Sequence, residues 1–308
     1  MLPITAAMVG HKKSPALPSR PRQHSLEHME KLLCNGGQAI VPLFQESADD
    51  PTLPDLIGSG VLVRFGPAFF LFTAAHVLDH AQDSDLLLPS TQDKMIVLNG
   101  RGGISASADP ARQSDRFDCG WVQLSCEAAA AIGDRFKFLN VRDLILDDLP
   151  AVGSEYCLSG YPVQRTKCVH TFDTAVSFSL LNYNAQIASI KAYRKCGADP
   201  NCRVAVRHSK GKSFDLDGGA YPADDPHGMS GGAIWKWVED SEKGVQLRYL
   251  SAITAEKDVH NAVIIGTKIA FLIESIRAHI PELSPWLPLS ASLDIVCVET
   301  PDGADSKV

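Results

Sequence analysis

The chain has 308 residues, of which 45% are hydrophobic and 21% charged, a composition typical of a globular protein with a sizeable buried core. Its 36 acidic and 29 basic residues leave a net charge of -7, which argues against a general nucleic-acid binder, because too few basic side chains are present to neutralise phosphates. The length allows either one large domain or two smaller ones.

The N-terminal residues 1–24 are rich in proline, serine and basic side chains without an apolar period, which predicts a disordered tail. They lack the apolar core of a secretory signal, and no stretch reaches the ~18 apolar residues of a membrane span. We therefore expect a cytoplasmic protein without membrane contact. The helical spacing of Leu26, Met29 and Leu33 predicts a short N-terminal helix that begins after Ser25.

Short runs rich in β-branched and aromatic residues follow from residue 38 onward, separated by turns with glycine, proline, aspartate or asparagine. Strands at this frequency predict an antiparallel all-β architecture, either a sandwich or a barrel. The segment "TKIAFLIESIRAHI" carries isoleucine and leucine along one stripe and ends before Pro281, which predicts an amphipathic C-terminal helix over about residues 267–280. A polar extension follows over residues 281–308.

The strand-like run "FLFTAAHVLD" delivers a single histidine, His76, at its end. One histidine in apolar surroundings is usually structural, so a catalytic role needs a nucleophile for it to deprotonate and an anion to orient its ring.

A candidate nucleophile lies in "GMSGG", where Ser230 stands between Gly228 and a pair of glycines. Glycine allows a tight turn and leaves backbone N–H groups unobstructed. The N–H groups of Gly228 and Ser230 are therefore candidates for an oxyanion hole, since acyl transfer from a serine needs both a base and N–H donors.

These two stretches resemble the trypsin-like serine peptidases of the chymotrypsin fold, in particular a bacterial-type intracellular member. The resemblance rests on "TAAH", on "GMSGG" and on "DCGWVQL", in the order histidine, aspartate, serine, and it covers roughly residues 38 to 280. It implies a serine endopeptidase in which Ser230 attacks the peptide carbonyl, His76 transfers the proton and Asp118 orients the histidine. Asp109 and Asp115, which precede the strand in a polar segment, are expected to have turn or surface roles.

The resemblance also implies the fold: two packed six-stranded antiparallel β-barrels within a peptidase domain over residues 25–280. Barrel one is expected over about 38–145 and barrel two over about 150–266, with the site between them. No metal or other cofactor is expected. Cys196 and Cys202 could close a disulfide or supply half a metal site, but no second cysteine pair follows, so we expect ordinary thiols.

The sequence departs from the family at Met229, where activated digestive enzymes have an aspartate that pairs with a newly formed N-terminus. We therefore do not expect activation by that route, and a regulatory protein partner is one way to restrain such a peptidase. Candidate substrate-binding residues for a polypeptide are Asp224, six residues before the serine, and the small Thr254 and Ala255 on a flanking strand.

Two other functions fit parts of the pattern. "GMSGG" also satisfies the nucleophile elbow of an α/β-hydrolase-type esterase, with Asp258 and His260 downstream. That fold requires a helix directly after the serine, whereas "GGAIWKWV" is typical of a strand, and His76 would have no role. A peptidase-like scaffold that binds proteins without cleaving them is the second alternative.

Overall fold

The structure is a computed structural model that describes residues 37–47, 53–90, 94–106, 112, 115–151, 153–170, 174–208, 213–214, 220–221, 225–240 and 244–291. The predicted tail, the predicted N-terminal helix and most of the predicted C-terminal extension lie outside these residues. Within them the protein is mostly β, with two curled antiparallel sheets, or half-barrels, and few helices. The predicted all-β class is thus confirmed at the level of two curled sheets.

The first sheet has seven strands in the spatial order β5-β4-β1-β2-β3-β7-β6. A hairpin at "RFGP", residues 64–67, joins β2 to β3, and Gly66 in its turn has a φ of 55°, a left-handed conformation that favours glycine. The seven strands of the first sheet are β1 (Ile40–Glu46), β2 (Pro54–Phe65), β3 (Ala68–Thr73), β4 (Leu86–Pro89), β5 (Met95–Val97), β6 (Gly100–Ile104) and β7 (Gly120–Leu124).

The second large sheet has six strands in the order β11-β8-β15-β16-β17-β12. The sheet curls far enough that its two edges approach, because Ile187, just after β11, bridges to Val206 in β12. Its strands are β8 (Glu155–Gly160), β11 (Leu181–Gln186), β12 (Arg203–Arg207), β15 (Ala233–Asp240), β16 (Val245–Asp258) and β17 (Val263–Lys268). Two small ribbons pair β9 (Thr166–His170) with β10 (Thr174–Phe178) and β13 (Ser213–Phe214) with β14 (Ala220–Tyr221).

The α-helices of the described residues are short. They are α1 (Ala75–Asp79), α2 (Cys126–Gly133), α3 (Ile190–Lys195) and α4 (Ile269–His279). The predicted C-terminal helix is α4, and its apolar stripe is buried at Ile269, Leu272, Ile273 and Ile276. No helix in the described ranges is long and apolar enough to cross a membrane.

One apolar core joins the two sheets. Phe70 and Trp121 of the first sheet share it with Trp235 and Ile253 of the second, and α4 covers its side. A hydrogen bond from Trp121 Nε1 to Ser275 Oγ (3.0 Å) fixes α4 to the first sheet. Burial of several large side chains in a shared core stabilises the contact between the sheets, at roughly 1.5–3 kcal/mol for each fully buried side chain.

Candidate functional site

The histidine of the predicted site lies on a short helix and not on the strand itself. Strand β3 ends at Thr73, and α1 begins two residues later, so that His76 occupies its first turn. The buried side chains of Val77 and Leu78 hold this helix against the first sheet, while the His76 side chain keeps 40% of its surface exposed. The imidazole is therefore held on a packed element and still accessible to a reactant.

His76 and Asp118 are hydrogen-bonded twice. The Asp118 carboxylate lies 2.7 Å from His76 Nδ1 through Oδ2, and it accepts from the backbone N of His76 through Oδ1 at 3.0 Å. Since an ionised carboxylate only accepts hydrogen bonds, this contact places the proton of a neutral imidazole on Nδ1. The other ring nitrogen, Nε2, is then left with a lone pair and can act as a base.

Asp118 adopts a left-handed backbone conformation, with a φ of 44°. A non-glycine residue there is uncommon, although aspartate tolerates it better than most, and it costs on the order of 1 kcal/mol. The conformation aims the carboxylate at α1 from a turn that precedes β7. Such an outlier persists only where surrounding contacts hold it.

Asp115 supplies those contacts: it organises a turn, as expected, but it is buried and does not have the surface role that was the alternative. Its side chain is fully buried, with Oδ1 accepting from the backbone N atoms of Phe117 and Asp118 at 2.9 Å each. Burial alone would raise the pKa of this carboxyl, but hydrogen bonds from Asp118, Ser105, Phe117 and Arg112 bring the pKa below its ordinary value. Asp109, the other acid considered, lies outside the described residues.

The loop that carries Ser230 turns tightly at two glycines. Gly228 and Gly231 have φ angles of 92° and 80°, both in the left-handed region. A side chain at Gly231 would place its Cβ 2.0 Å from Thr73 Oγ1 and 2.1 Å from the carbonyl oxygen of Ser59. Only glycine therefore permits the serine loop to lie directly against the strand end that precedes His76.

Ser59, on β2, fastens the serine loop to the first sheet. Its backbone N donates to Ser230 O (2.7 Å), its hydroxyl donates to Gly228 O (2.9 Å), and its own carbonyl accepts from Thr73 Oγ1 (2.7 Å). Sequence reasoning did not identify this residue. The signal was present, because Ser59 stands between Gly58 and Gly60 in a strand, and glycine in a strand often marks a close backbone approach.

The two predicted oxyanion donors, the backbone N–H groups of Gly228 and Ser230, lie in the loop that carries the serine. In the part of the chain that the structure describes, the backbone N–H groups of Gly228 and Ser230 have no protein acceptor, whereas the neighbouring Met229 N donates to Pro226 O at 2.9 Å. No hydrogen bond among the described residues joins Ser230 Oγ to His76. The loop that carries Ser230 thus lies against the strand end that precedes His76, and its two candidate N–H donors have no acceptor among the described residues.

Met229 anchors this loop by apolar packing. Its side chain is only 2% exposed and belongs to the core of the second sheet, close to Gly160. The residue directly before Ser230 is therefore a buried thioether, which holds the loop by packing.

The predicted substrate-binding residues lie partly beside the loop. The backbone of Thr254 is paired with the loop itself, since its O accepts from Gly231 N (2.7 Å) and its N donates to Gly232 O (2.8 Å). Thr254 and Ala255 are both buried. Asp224 lies outside the described residues, and its neighbour Asp225 is an exposed acid paired with Lys257 Nζ at 3.0 Å.

No group of three or more histidine, cysteine or acidic side chains suited to a metal occurs within the described ranges. Cys196 and Cys202 are free thiols. Comparison with protein-family models and with curated protein sequences found no match to this chain.

Proposed function

We propose that this protein is a serine endopeptidase of the trypsin-like type, in which the two half-barrels correspond to the two barrels of that fold. The observation that carries the proposal is the His76–Asp118 pair, bonded at 2.7 Å, together with the glycine-flanked Ser230 loop that is packed against the strand end preceding His76. A base, its orienting anion and a candidate nucleophile come from three distant parts of the chain, which a purely structural hydrogen bond would not require.

The proposed reaction begins with attack of Ser230 Oγ on the peptide carbonyl. His76 Nε2 accepts the hydroxyl proton and then delivers it to the leaving amine, while Asp118 holds Nδ1–H and stabilises the imidazolium. The negative charge on the carbonyl oxygen is met by the N–H groups of Gly228 and Ser230, which have no competing protein acceptor among the described residues. Water then releases the acyl group by the reverse proton transfers.

The missing Ser230–His76 hydrogen bond is compatible with this reaction, because catalytic hydrogen bonds in a ligand-free enzyme are often long and tighten when substrate binds. Both partners lie on elements that are held in place: His76 on the packed helix α1, and Ser230 on a loop bonded to Ser59 and Thr254.

Strand β16 supports a polypeptide as substrate. Its partner β15 begins at Ala233, which pairs with Ile253, so beyond Thr254 no strand of the described residues pairs with that side of β16. An extended peptide can add to such an edge through its main chain. The edge begins directly beside the Ser230 loop, which is where a scissile bond would have to lie.

The esterase alternative is disfavoured by the element that follows the serine. Residues 233–240 form β15, and the α/β-hydrolase elbow requires a helix at this place. A binding scaffold without activity is the second candidate, and the observation in its favour is the open Ser230–His76 pair. It predicts peptide binding without turnover.

Labelling with a serine-directed fluorophosphonate tests the proposal. We expect the wild-type chain to be labelled once, and labelling to be lost in Ser230→Ala and in His76→Ala. His260→Ala is the matched control, because His260 is the base that the esterase alternative would use and it lies in a turn after β16. Labelling that survives His76→Ala but not His260→Ala would reverse the assignment, and an unlabelled wild-type chain that still binds peptides would favour the scaffold.

A further inference from the structure

A buried polar cluster lies beneath Asp118 and has no part in the proposed reaction. Its centre is Asp115, whose two carboxylate oxygens accept four hydrogen bonds. Oδ1 accepts from the backbone N of Phe117 and of Asp118, and Oδ2 accepts from Ser105 Oγ (2.6 Å) and Arg112 Nη1 (2.8 Å). The turn that presents Asp118 is thus built around a second, buried aspartate.

Arg112 extends the cluster to the helix that carries His76. Its guanidinium forms an ion pair with Asp79, the last residue of α1, through Nε to Oδ2 and through Nη2 to Oδ1 at 2.9 Å. The Arg112 side chain is only 9% exposed. A planar guanidinium that donates two hydrogen bonds to one carboxylate fixes both the distance between the two groups and their relative orientation, which a single point charge does not.

The cluster therefore spans the two elements that must be aligned for the His76–Asp118 contact. Asp79 is three residues after His76 on α1, and Asp115 is three residues before Asp118 in its turn. Arg112 bonds to both acids, and it also donates to Ser105 O at 2.7 Å. Asp118 and Arg112 are two of the non-glycine residues with positive φ in the described chain, at 44° and 52°. Backbone conformations of this kind are retained where several contacts impose them.

We propose that Asp79, Arg112 and Asp115 form a positioning clamp that sets the geometry of the His76–Asp118 pair, and that this clamp, given the proposed peptidase function, controls turnover more than substrate binding. The clamp acts through Asp118 and α1. Among the described residues, its three side chains contact neither the Ser230 loop nor the free edge of β16 that was proposed to bind substrate. A small rotation of Asp118 would lengthen both of its bonds to His76. Misplacement by about 1 Å can lower turnover on the order of 100-fold.

The first readout is the proton on His76 Nδ1, observed by proton NMR of the full chain with 15N-labelled histidine and assigned by its loss in His76→Gln. We expect this hydrogen-bonded signal to be lost or strongly shifted in Asp115→Ala and in Arg112→Gln. Asp115→Asn keeps the oxygen that accepts from the backbone but loses the charge, so an intermediate change is expected. These variants form a graded series that a general loss of stability would not produce.

Asp148→Asn is the matched control. Asp148 is also fully buried and bonded to several side chains, among them Tyr156 OH (2.9 Å) and Ser251 Oγ. It lies in the segment before β8, its partners belong to the second sheet, and no contact among the described residues joins it to His76 or Asp118. The His76 signal is expected to persist in this variant. All variants are to be compared at a temperature at which circular dichroism shows each of them folded.

The second readout separates kcat from KM in hydrolysis of a peptide library substrate. Asp115→Ala and Arg112→Gln are expected to lower kcat about 10- to 100-fold with KM nearly unchanged. An unchanged His76 signal in both variants overturns the clamp, as does an equal loss of that signal in Asp148→Asn. The NMR measurement tests the clamp even if the protein hydrolyses no substrate. A wild-type chain that fluorophosphonate does not label would instead count against the proposed peptidase function.

Discussion

Replacing Gly231 with alanine tests how closely the Ser230 loop approaches the strand end before His76. The added Cβ would lie 2.0 Å from Thr73 Oγ1, 2.1 Å from Ser59 O and 3.0 Å from Ala74 N. Two of these three atoms are backbone atoms, and the Thr73 hydroxyl is held by its own bond to Ser59 O. None of them is the free end of a flexible side chain, so the loop itself has to move.

The expected loss of stability has two parts. The left-handed φ of 80° at Gly231 costs alanine about 1–2 kcal/mol, and overpacking in a tight environment costs typically another 1–3 kcal/mol. We expect the free energy of unfolding to fall by about 2–5 kcal/mol, a large fraction of the 5–15 kcal/mol typical of a domain. The hydrogen bond from Gly231 N to Thr254 O would be strained by the same movement.

Urea unfolding followed by tryptophan fluorescence measures this change, and two other glycines provide controls. Gly197 has a φ of 67° with nothing within 4 Å of an added Cβ, so Gly197→Ala isolates the backbone part. Gly133 lies in α2 with open space around it, and Gly133→Ala should be neutral or slightly stabilising. If Gly231→Ala costs no more than Gly197→Ala, the serine loop does not lie against the strand end, and the reasoning for the site is wrong.

Three further outcomes follow from burial and charge. Asp148→Ala should lower the free energy of unfolding by about 3–5 kcal/mol in urea titrations, because it leaves Lys236 without its buried partner. Because the pKa of Asp115 is lowered in the folded protein, its carboxylate stabilises the fold fully above the unfolded pKa of about 3.9, and this stabilisation is lost as the pH falls through the folded pKa. The free energy of unfolding of Asp115→Asn should therefore decline less steeply than that of the wild type below about pH 4. In native iodoacetamide labelling read by peptide mass spectrometry, the exposed Cys126 should react, whereas Cys119, whose thiol pKa is raised by burial, should react only after unfolding.

The sequence predicts those parts of the fold whose signal is local. Apolar runs rich in β-branched and aromatic residues predict β2 and β3, and the isoleucine stripe predicts α4, because each pattern is set by residues within a single element. The helix α1 was missed since five residues are too few to show a period. The first sheet also has seven strands where six were expected.

Contacts between residues far apart in the sequence explain the other differences between the prediction and the structure. Asp115 stands in a polar stretch that looks like a surface turn, and its burial depends on Arg112 and on Asp79, which is 36 positions away. Ser59 is likewise an ordinary strand residue until the loop at Ser230, 171 positions later, packs against it. The contacts of Asp115 leave no trace in local periodicity, and at Ser59 only the flanking glycines indicate a close approach. Sequence reasoning therefore proposes candidate reacting residues by motif and misses the residues packed around them.

The two sheets contribute unequally to the site, and this determines where it is most sensitive. The first sheet carries His76 and Asp118 and fastens the serine loop through Ser59, while the second sheet anchors the same loop through Met229 and Thr254. The apolar core between the sheets can absorb a small shift, because its contacts have no fixed direction. Hydrogen bonds such as Ser59 N to Ser230 O lose strength steeply when the angle changes. A slight slide of one sheet on the other would therefore separate the serine from the histidine well before the fold is lost.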